Sequence, residues 1–202
     1  MNLRVVTGNS HKVHEFRSIL AAQGYNLTVE PLAGGDVVEC GATYYQNAYR
    51  KARSGMRGEP SSEEGTDIIL ADDSGLELEE FGCMPGVHSA RFSYAGLLER
   101  AALSRFLLDQ GTPLAHGWFV CWIVAFLPGV PQCVSACGRV KGIVRPEPRG
   151  TSGFGYDPLF VPDGYSNTFA ELGPEVKDRI SHRSRAIEGL LSIVEAKVSL
   201  RP

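Results

Sequence analysis

A short apolar run, Leu3 to Val6, gives way to a polar joint, Thr7 to Ser10. An amphipathic stretch follows from His11 to about Ala22, with Val13, Phe16, Ile19 and Leu20 at helical spacing. So short a joint makes a buried strand hand the chain directly to a helix that packs on it, the first step of an α/β fold. The alternation continues. Leu27 to Val29 predicts a second strand, Thr43 to Met56 a helix with Thr43 as N-cap, and Ile68 to Ala71 a strand ending at Asp72-Asp73-Ser74-Gly75. Arg57 to Asp67, rich in Gly, Ser, Glu and Pro, reads as an exposed loop, and Leu97 to Leu108 as a helix. Trp118 to Leu127 and Cys133 to Val144 are β-rich runs joined by Pro128-Gly129-Val130-Pro131, the strongest hairpin signal in the chain. A Pro/Gly-rich stretch, Pro146 to Gly155, precedes a closing helix from Arg185 to Val198. The expected class is α/β with a mixed sheet. No repeat, low-complexity tract or linker interrupts it, so residues 1–202 read as a single domain.

Composition narrows the function. The net charge is −3, from 20 basic and 23 acidic side chains. A chain that wraps nucleic acid usually carries a basic excess, so no nucleic-acid partner is expected, whereas one small polyanion needs only a local cluster of Lys and Arg. No stretch reaches the ~18 uninterrupted apolar residues of a membrane span. The most apolar one, Trp118 to Val130, contains Pro128 and Gly129. Met1-Asn2-Leu3-Arg4 runs straight into the first strand without a signal-peptide core. Cys40, Cys83, Cys121, Cys133 and Cys137 form no C-x-x-C pair and match no zinc spacing. Reduced, mostly structural thiols in the cytoplasm are the expectation.

Four constellations could carry chemistry. Thr7-Gly8-Asn9-Ser10-His11-Lys12 sits where a strand end turns into a helix, so backbone N–H groups and the helix dipole would favour an anion. It lacks the Walker sequence, and an ordinary capped helix would contain similar residues. Asp72-Asp73 follows a wholly apolar run, and two carboxylates there are costly unless a cation such as Mg²⁺ compensates; the alternative is a solvated turn. Thr151-Ser152-Gly153-Phe154-Gly155-Tyr156-Asp157-Pro158 offers a ring on which something flat could lie, or merely a glycine-rich loop pinned by aromatics. Lys177 with Ser181-His182-Arg183 groups donors for an anion or a carbonyl, or forms a solvated face. Polyanion cradle, metal carboxylates, stacking platform and donor cluster are together the inventory for a nucleoside triphosphate.

The same blocks carry a resemblance. Thr7-Gly8-Asn9-x-x-Lys12, Glu39-x-Gly41, Asn47-Ala48-x-x-Lys51-Ala52 and Ala71-Asp72-Asp73-Ser74-Gly75-Leu76 come in order. Pro85-Gly86-Val87-x-Ser89-Ala90-Arg91, Gly153 to Phe160 and Ser181-His182-Arg183 follow. From Val5 to Ile187 the chain resembles the inosine triphosphate pyrophosphatases, also called XTP/dITP diphosphatases. The resemblance implies an elongated α/β protein, with two lobes around a long mixed sheet and a central substrate cleft, and commonly a homodimer. It also implies Mg²⁺-dependent hydrolysis of ITP, dITP and XTP to the monophosphate and pyrophosphate. By the same resemblance Asp73 is the general base and, with Glu39, holds the metal. Thr7, Gly8, Asn9, Ser10, His11, Lys12, Lys51 and Ser74 fall on phosphate positions. Phe154, Gly155, Tyr156, Asp157, Lys177, His182 and Arg183 fall on nucleotide and base contacts. Arg183 only donates hydrogen bonds, which suits the 6-keto oxygen of inosine and xanthosine over the amino group of adenine. Gln46, Ala102 and Cys137 depart from the family pattern without touching these roles. Two rival readings are a Maf-like enzyme acting on pyrimidine nucleotides and a nucleotide-sensing module without catalysis.

Overall fold

The computed structural model describes residues 2–33, 37, 39–56 and 67–197. The expected loop from Arg57 to Asp67 lies, apart from Asp67, outside them. The chain runs β1 (Asn2–Val6), α1 (Ser10–Ala22), β2 (Thr28–Leu32), α2 (Tyr44–Gly55), β3 (Ile68–Leu78), β4 (Met84–Pro85), β5 (Ser93–Tyr94) and β6 (Leu97–Leu98). It continues with α3 (Glu99–Asp109), β7 (Ala115–Phe126), β8 (Val134–Val144), β9 (Phe160–Pro162), α4 (Phe169–Leu172), α5 (Pro174–Ile180) and α6 (His182–Lys197). The main sheet has the order β2-β1-β3-β7-β8-β9, with β4 paired to β3. β1 lies parallel to β2 and β3, and β9 antiparallel to β8, so the sheet is mixed as expected.

Two elements differ instructively from the sequence reading. β3 does not stop at Ala71 but continues through Asp72, Asp73, Ser74 and Gly75 to Leu78. The acidic pair reads locally as a turn, yet both carboxylates find cations in other elements, which removes the cost of burying them in a strand. Leu97 and Leu98 close a two-stranded hairpin with Ser93–Tyr94, so α3 begins only at Glu99. The short helices α4 and α5 carry no extended apolar period; α4 is set by a capping box between Thr168 and Glu171, and α5 begins at Pro174.

The described residues fall into two compact units, each assembled from separate segments. The first comprises Met1–Asp73, Cys121–Gly138 and Arg183–Pro202, and the second Ser74–Val120 and Arg139–His182. β3, β7 and β8 contribute residues to both.

In the first unit the period-2 alternation of the strands assigns two faces. Leu3, Val5, Ile68, Leu70, Cys121 and Ile123 pack with Phe16 and Ile19 of α1 and with Ile187 and Leu190 of α6. Val6, Ile69, Ala71, Val124 and Phe126 pack on the opposite side against Ala48 and Ala52 of α2. Full burial of each such large side chain stabilises the fold by about 1.5–3 kcal/mol. The second unit has its own core, in which Leu76, Leu78, Leu103, Leu107 and Val140 surround the rings of Phe119, Phe160 and Phe169. Phe119 and Phe160 lie with centroids 4.6 Å apart, and Phe160 and Phe169 5.5 Å apart.

Candidate functional site

Because β3 continues through the acidic pair, Asp72 and Asp73 leave the strand on opposite faces. Asp72 follows Ile68 and Leu70 onto the α1 and α6 side, and Asp73 follows Ile69 and Ala71 onto the α2 side.

On the first side Asp72, 1% exposed, accepts from Lys12 Nζ at 3.0 Å and from Arg183 Nη2 at 2.9 Å. Arg183 also pairs through Nη1 with Glu15, which lies one helical turn after Lys12 on α1. Burial would raise the pKa of Asp72, but Lys12 and Arg183 outweigh it and hold the carboxyl far below the usual range. Asp72 is a fixed anion. Cys121 contributes its thiol 3.9 Å from the same carboxylate, and burial pushes that thiol well above its ordinary value, which keeps it protonated. Arg183 stands apart from its expected role at a purine keto oxygen: the side chain is 1% exposed and both Nη groups are taken by carboxylates.

On the second side Asp73, 6% exposed, accepts from Asn47 Nδ2 at 3.0 Å and from Lys51 Nζ at 3.3 Å. Asn47 and Lys51 are one turn apart on α2, whose start is fixed by Thr43 Oγ1 accepting from Gln46 N. Lys51 Nζ also reaches Glu39 Oε1 at 3.0 Å, so Glu39 and Asp73 converge on a single cation. Burial is the largest influence on Asp73; Lys51 and Asn47 offset part of it, and its pKa stays above the ordinary value. Burial would lower Lys51, but Asp73, Asp72 and Glu39 together hold it above its usual value. No group of three His, Cys, Asp or Glu side chains forms a metal cage among the described residues. Two carboxylates converging on a cation, with further positions left to water and phosphate oxygens, is nonetheless the donor set that Mg²⁺ accepts.

The Thr7–Lys12 joint is ordered by its own side chains. Asn9 caps α1 by accepting from His11 N at 2.9 Å, and Thr7 Oγ1 accepts from Asn9 N at 3.1 Å. Two amides that the sequence reading offers to an anion are therefore engaged locally. Ser10 and His11 open α1, and Gly8 leaves open space around its α-carbon.

In the second unit Asp157 Oδ2 accepts from Lys177 Nζ at 2.6 Å and from Phe154 N at 2.8 Å. The same ammonium lies 4.5 Å from the centroid of Phe154, on one face of the ring. Gly153, at φ +77°, permits the turn, since a Cβ there would overlap the Asp157 carboxylate. The buried Asp157 and Lys177 and the half-buried Phe154 thus form one assembly. Tyr156 does not join it: the ring lies in the core, and its hydroxyl donates to Ser89 O at 2.7 Å. Burial raises that phenol well above its usual pKa. His182 is also buried and stacks on Phe119 at 4.7 Å. Gly155, at φ +56°, links Phe154 to Tyr156, and Ser74 continues β3 half-buried.

Sequence reading assigned no role to Asn47 or Glu15. Both were signalled by helical spacing, Asn47 four residues before Lys51 and Glu15 three after Lys12, but their carboxylate and guanidinium partners are remote in sequence.

The chain matches the Ham1 family over residues 3–193. It is 39% identical to a dITP/XTP pyrophosphatase of Aquifex aeolicus, over 96% of this chain and 97% of the relative. It is 38% identical to one from Frankia alni over the same shares. Among solved structures, a nucleoside-triphosphatase (dITP/XTP pyrophosphatase) of Mycobacterium abscessus aligns at 36% identity with a TM-score of 0.65, covering 96% of this chain and 100% of the other. The Ham1 protein of Staphylococcus aureus aligns at 27% identity with a TM-score of 0.77, covering 98% and 100%. With a family match of this extent and relatives this similar over nearly their whole length, the chain is a member of the Ham1 family.

Proposed function

We propose that the chain hydrolyses dITP, XTP and ITP to the nucleoside monophosphate and pyrophosphate, with Mg²⁺ as cofactor. The observation that carries this reading is the convergence of Glu39 and Asp73 on one cation, with Lys12, just past the strand-to-helix joint, near enough for its charge to act on Asp73. The names of the relatives supply the substrate class.

Phosphoryl transfer asks a protein mainly for positioning and charge neutralisation. Glu39 and Asp73 would hold the metal. Bound there, Mg²⁺ would offset triphosphate charge and acidify a water molecule. Asp73, its pKa raised by burial, orients the water that attacks the α-phosphorus and accepts its proton as pyrophosphate leaves. Lys51 turns from the two carboxylates to the phosphates, joined by Lys12 and by donors from Thr7, Gly8, Asn9, Ser10, His11 and Ser74. The Glu15–Arg183–Asp72 ion pairs fix the base of the Lys12 side. In the second unit, Phe154 with Gly155 forms the stacking surface, Asp157 holds Lys177 as a donor, and Tyr156 anchors the loop. Lys177 and His182 are assigned to the purine ring.

Residues 1–202 act as a single domain in this reading, because three strands contribute to both units. The family resemblance supports a homodimer, which light scattering would read as twice the 21.9 kDa chain mass. The five cysteines form no disulfide among the described residues, which suits the reducing cytoplasm, where the nucleotide pool lies. No helix among the described residues is long and apolar enough to cross a membrane.

Pyrophosphate release from dITP, ITP and XTP, with and without Mg²⁺, tests the activity. Metal-dependent release from these purines over dATP and dCTP is expected. Release from pyrimidine nucleotides alone, or from none, contradicts it.

A further inference from the structure

Asn47 sits at the centre of the Asp73 side and is fully buried, at 0% exposure. Its carboxamide bridges two segments that the Lys51 ammonium also joins, but does so with a fixed, neutral group. Nδ2 donates to Asp73 Oδ2 at 3.0 Å, and Oδ1 accepts from Gly41 N at 2.8 Å. Gly41 lies two residues beyond Glu39, so one side chain ties the strand bearing Asp73 to the loop bearing Glu39. The fit is close. A Cβ at Gly41 would lie 2.6 Å from Asn47 Oδ1 and 2.9 Å from Gln46 Cβ, so only glycine admits this approach. Gln46, the neighbouring residue, accepts from Ala42 N at 2.8 Å and holds the same loop a second time.

The two functions of the amide are chemically distinct. A carboxylate has several acceptor positions, and engaging one oxygen of Asp73 with a neutral donor fixes its rotation without neutralising it. The other oxygen, Oδ1, is the one that Lys51 reaches, and Lys51 in turn pairs with Glu39. An aspartate in place of Asn47 could not donate, and a lysine would add a competing charge. The amide is the group that both donates to a carboxylate and accepts from a backbone N–H.

We propose that Asn47 is a positioning residue that sets the separation and orientation of Glu39 and Asp73, and thereby the metal affinity of the site. The inference rests on the functional reading above and deepens it. Asn47 touches neither substrate nor metal; it acts through the two carboxylates. Partners of this kind, one step removed from a metal, typically change metal affinity or activity by about 10- to 100-fold when removed.

The test uses the full chain as wild type, Asn47→Ala, Gly41→Ala and the double variant. Mn²⁺ binding to nucleotide-free protein is measured by electron paramagnetic resonance, and dITP turnover at saturating Mg²⁺. Each single variant is expected to bind Mn²⁺ about 10- to 100-fold more weakly and to lose kcat, with little change in the KM for dITP. Gly41→Ala should add less than its single effect once Asn47 is already Ala, because the two changes share one link and only the contact with Gln46 Cβ is then new. Should Asn47→Ala fail to fold, Gly41→Ala and Asn47→Ser carry the same comparison. Wild-type metal affinity and kcat in a folded variant with a lowered Tm would overturn the proposal and leave Asn47 a purely structural residue. So would a wild-type protein that takes up no Mn²⁺, or an effect confined to the KM for dITP. A wild type that binds Mn²⁺ but releases no pyrophosphate sinks the functional reading instead, since metal binding needs no turnover.

Discussion

Asp72 and Asp73 are neighbours in one strand, equally acidic and both buried, yet they stand in opposite electrostatic settings. Asp72 has two cations directly on its carboxylate, Lys12 across both oxygens and Arg183 on Oδ2, and its proton affinity is driven far down. Burial raises the proton affinity of Asp73, and one direct cation, shared with Glu39, and a neutral amide offset only part of that rise. The number of facing cations therefore separates two chemically identical groups into a permanent anion and a carboxylate able to take a proton. A strand is the element that makes this separation possible, since adjacent residues point to different faces.

The largest effect should come from breaking the Asp72 side. Arg183→Ala leaves the buried Asp72 to Lys12 alone and takes the guanidinium from the half-buried Glu15, and calorimetry is expected to show a stability loss of about 3–5 kcal/mol. A fully stable Arg183→Ala variant that loses only its preference for 6-keto purines would instead return Arg183 to the base.

A weaker handle is acid stability in the metal-free protein. Asp72 has a folded pKa below its unfolded value of 3.8, so its contribution is complete above that value and disappears as the pH falls below it. Asp73 has a raised folded pKa, so its contribution is present below the unfolded value and is lost as pH rises through the folded one. Urea midpoints of Asp72→Asn and Asp73→Asn between pH 5 and 3, taken relative to wild type, should therefore slope in opposite directions. Parallel slopes would erase the distinction.

The acidic pair also marks where the sequence was legible and where it was not. α1 was readable from its apolar period and α2 from Thr43, signals that lie within a few residues of the backbone they organise. The hairpin of β7 and β8 was readable from Pro128-Gly129 between two β-rich runs. The path of β3 was not. Acidic residues followed by Ser74-Gly75 look like a turn until cations arrive from Lys12, Lys51 and Arg183, the last of them 111 positions from Asp72. The same distance effect hid the commitment of Arg183 to Glu15 across 168 positions. Composition and motif order named the groups that would gather; only the folded chain assigned them to opposite sides of a strand.

The smallest effect sharpens the α2 side. Thr43→Ala removes the cap of the helix that presents Asn47 and Lys51, and should lower stability by about 1 kcal/mol. Turnover at saturating substrate should persist, because the cap touches neither carboxylate. A large loss of kcat at unchanged Tm would mean that the helix start itself governs the site.

The most direct measurement is single-turnover hydrolysis of dITP by Asp73→Asn at saturating Mg²⁺, with nucleotide affinity measured alongside. The exchange keeps shape and removes the basic oxygen. A loss of about 10²- to 10⁴-fold in rate with nucleotide binding retained is the predicted result. Turnover close to wild type would show that the proton goes elsewhere, and that the contrast between the two carboxylates has no catalytic meaning.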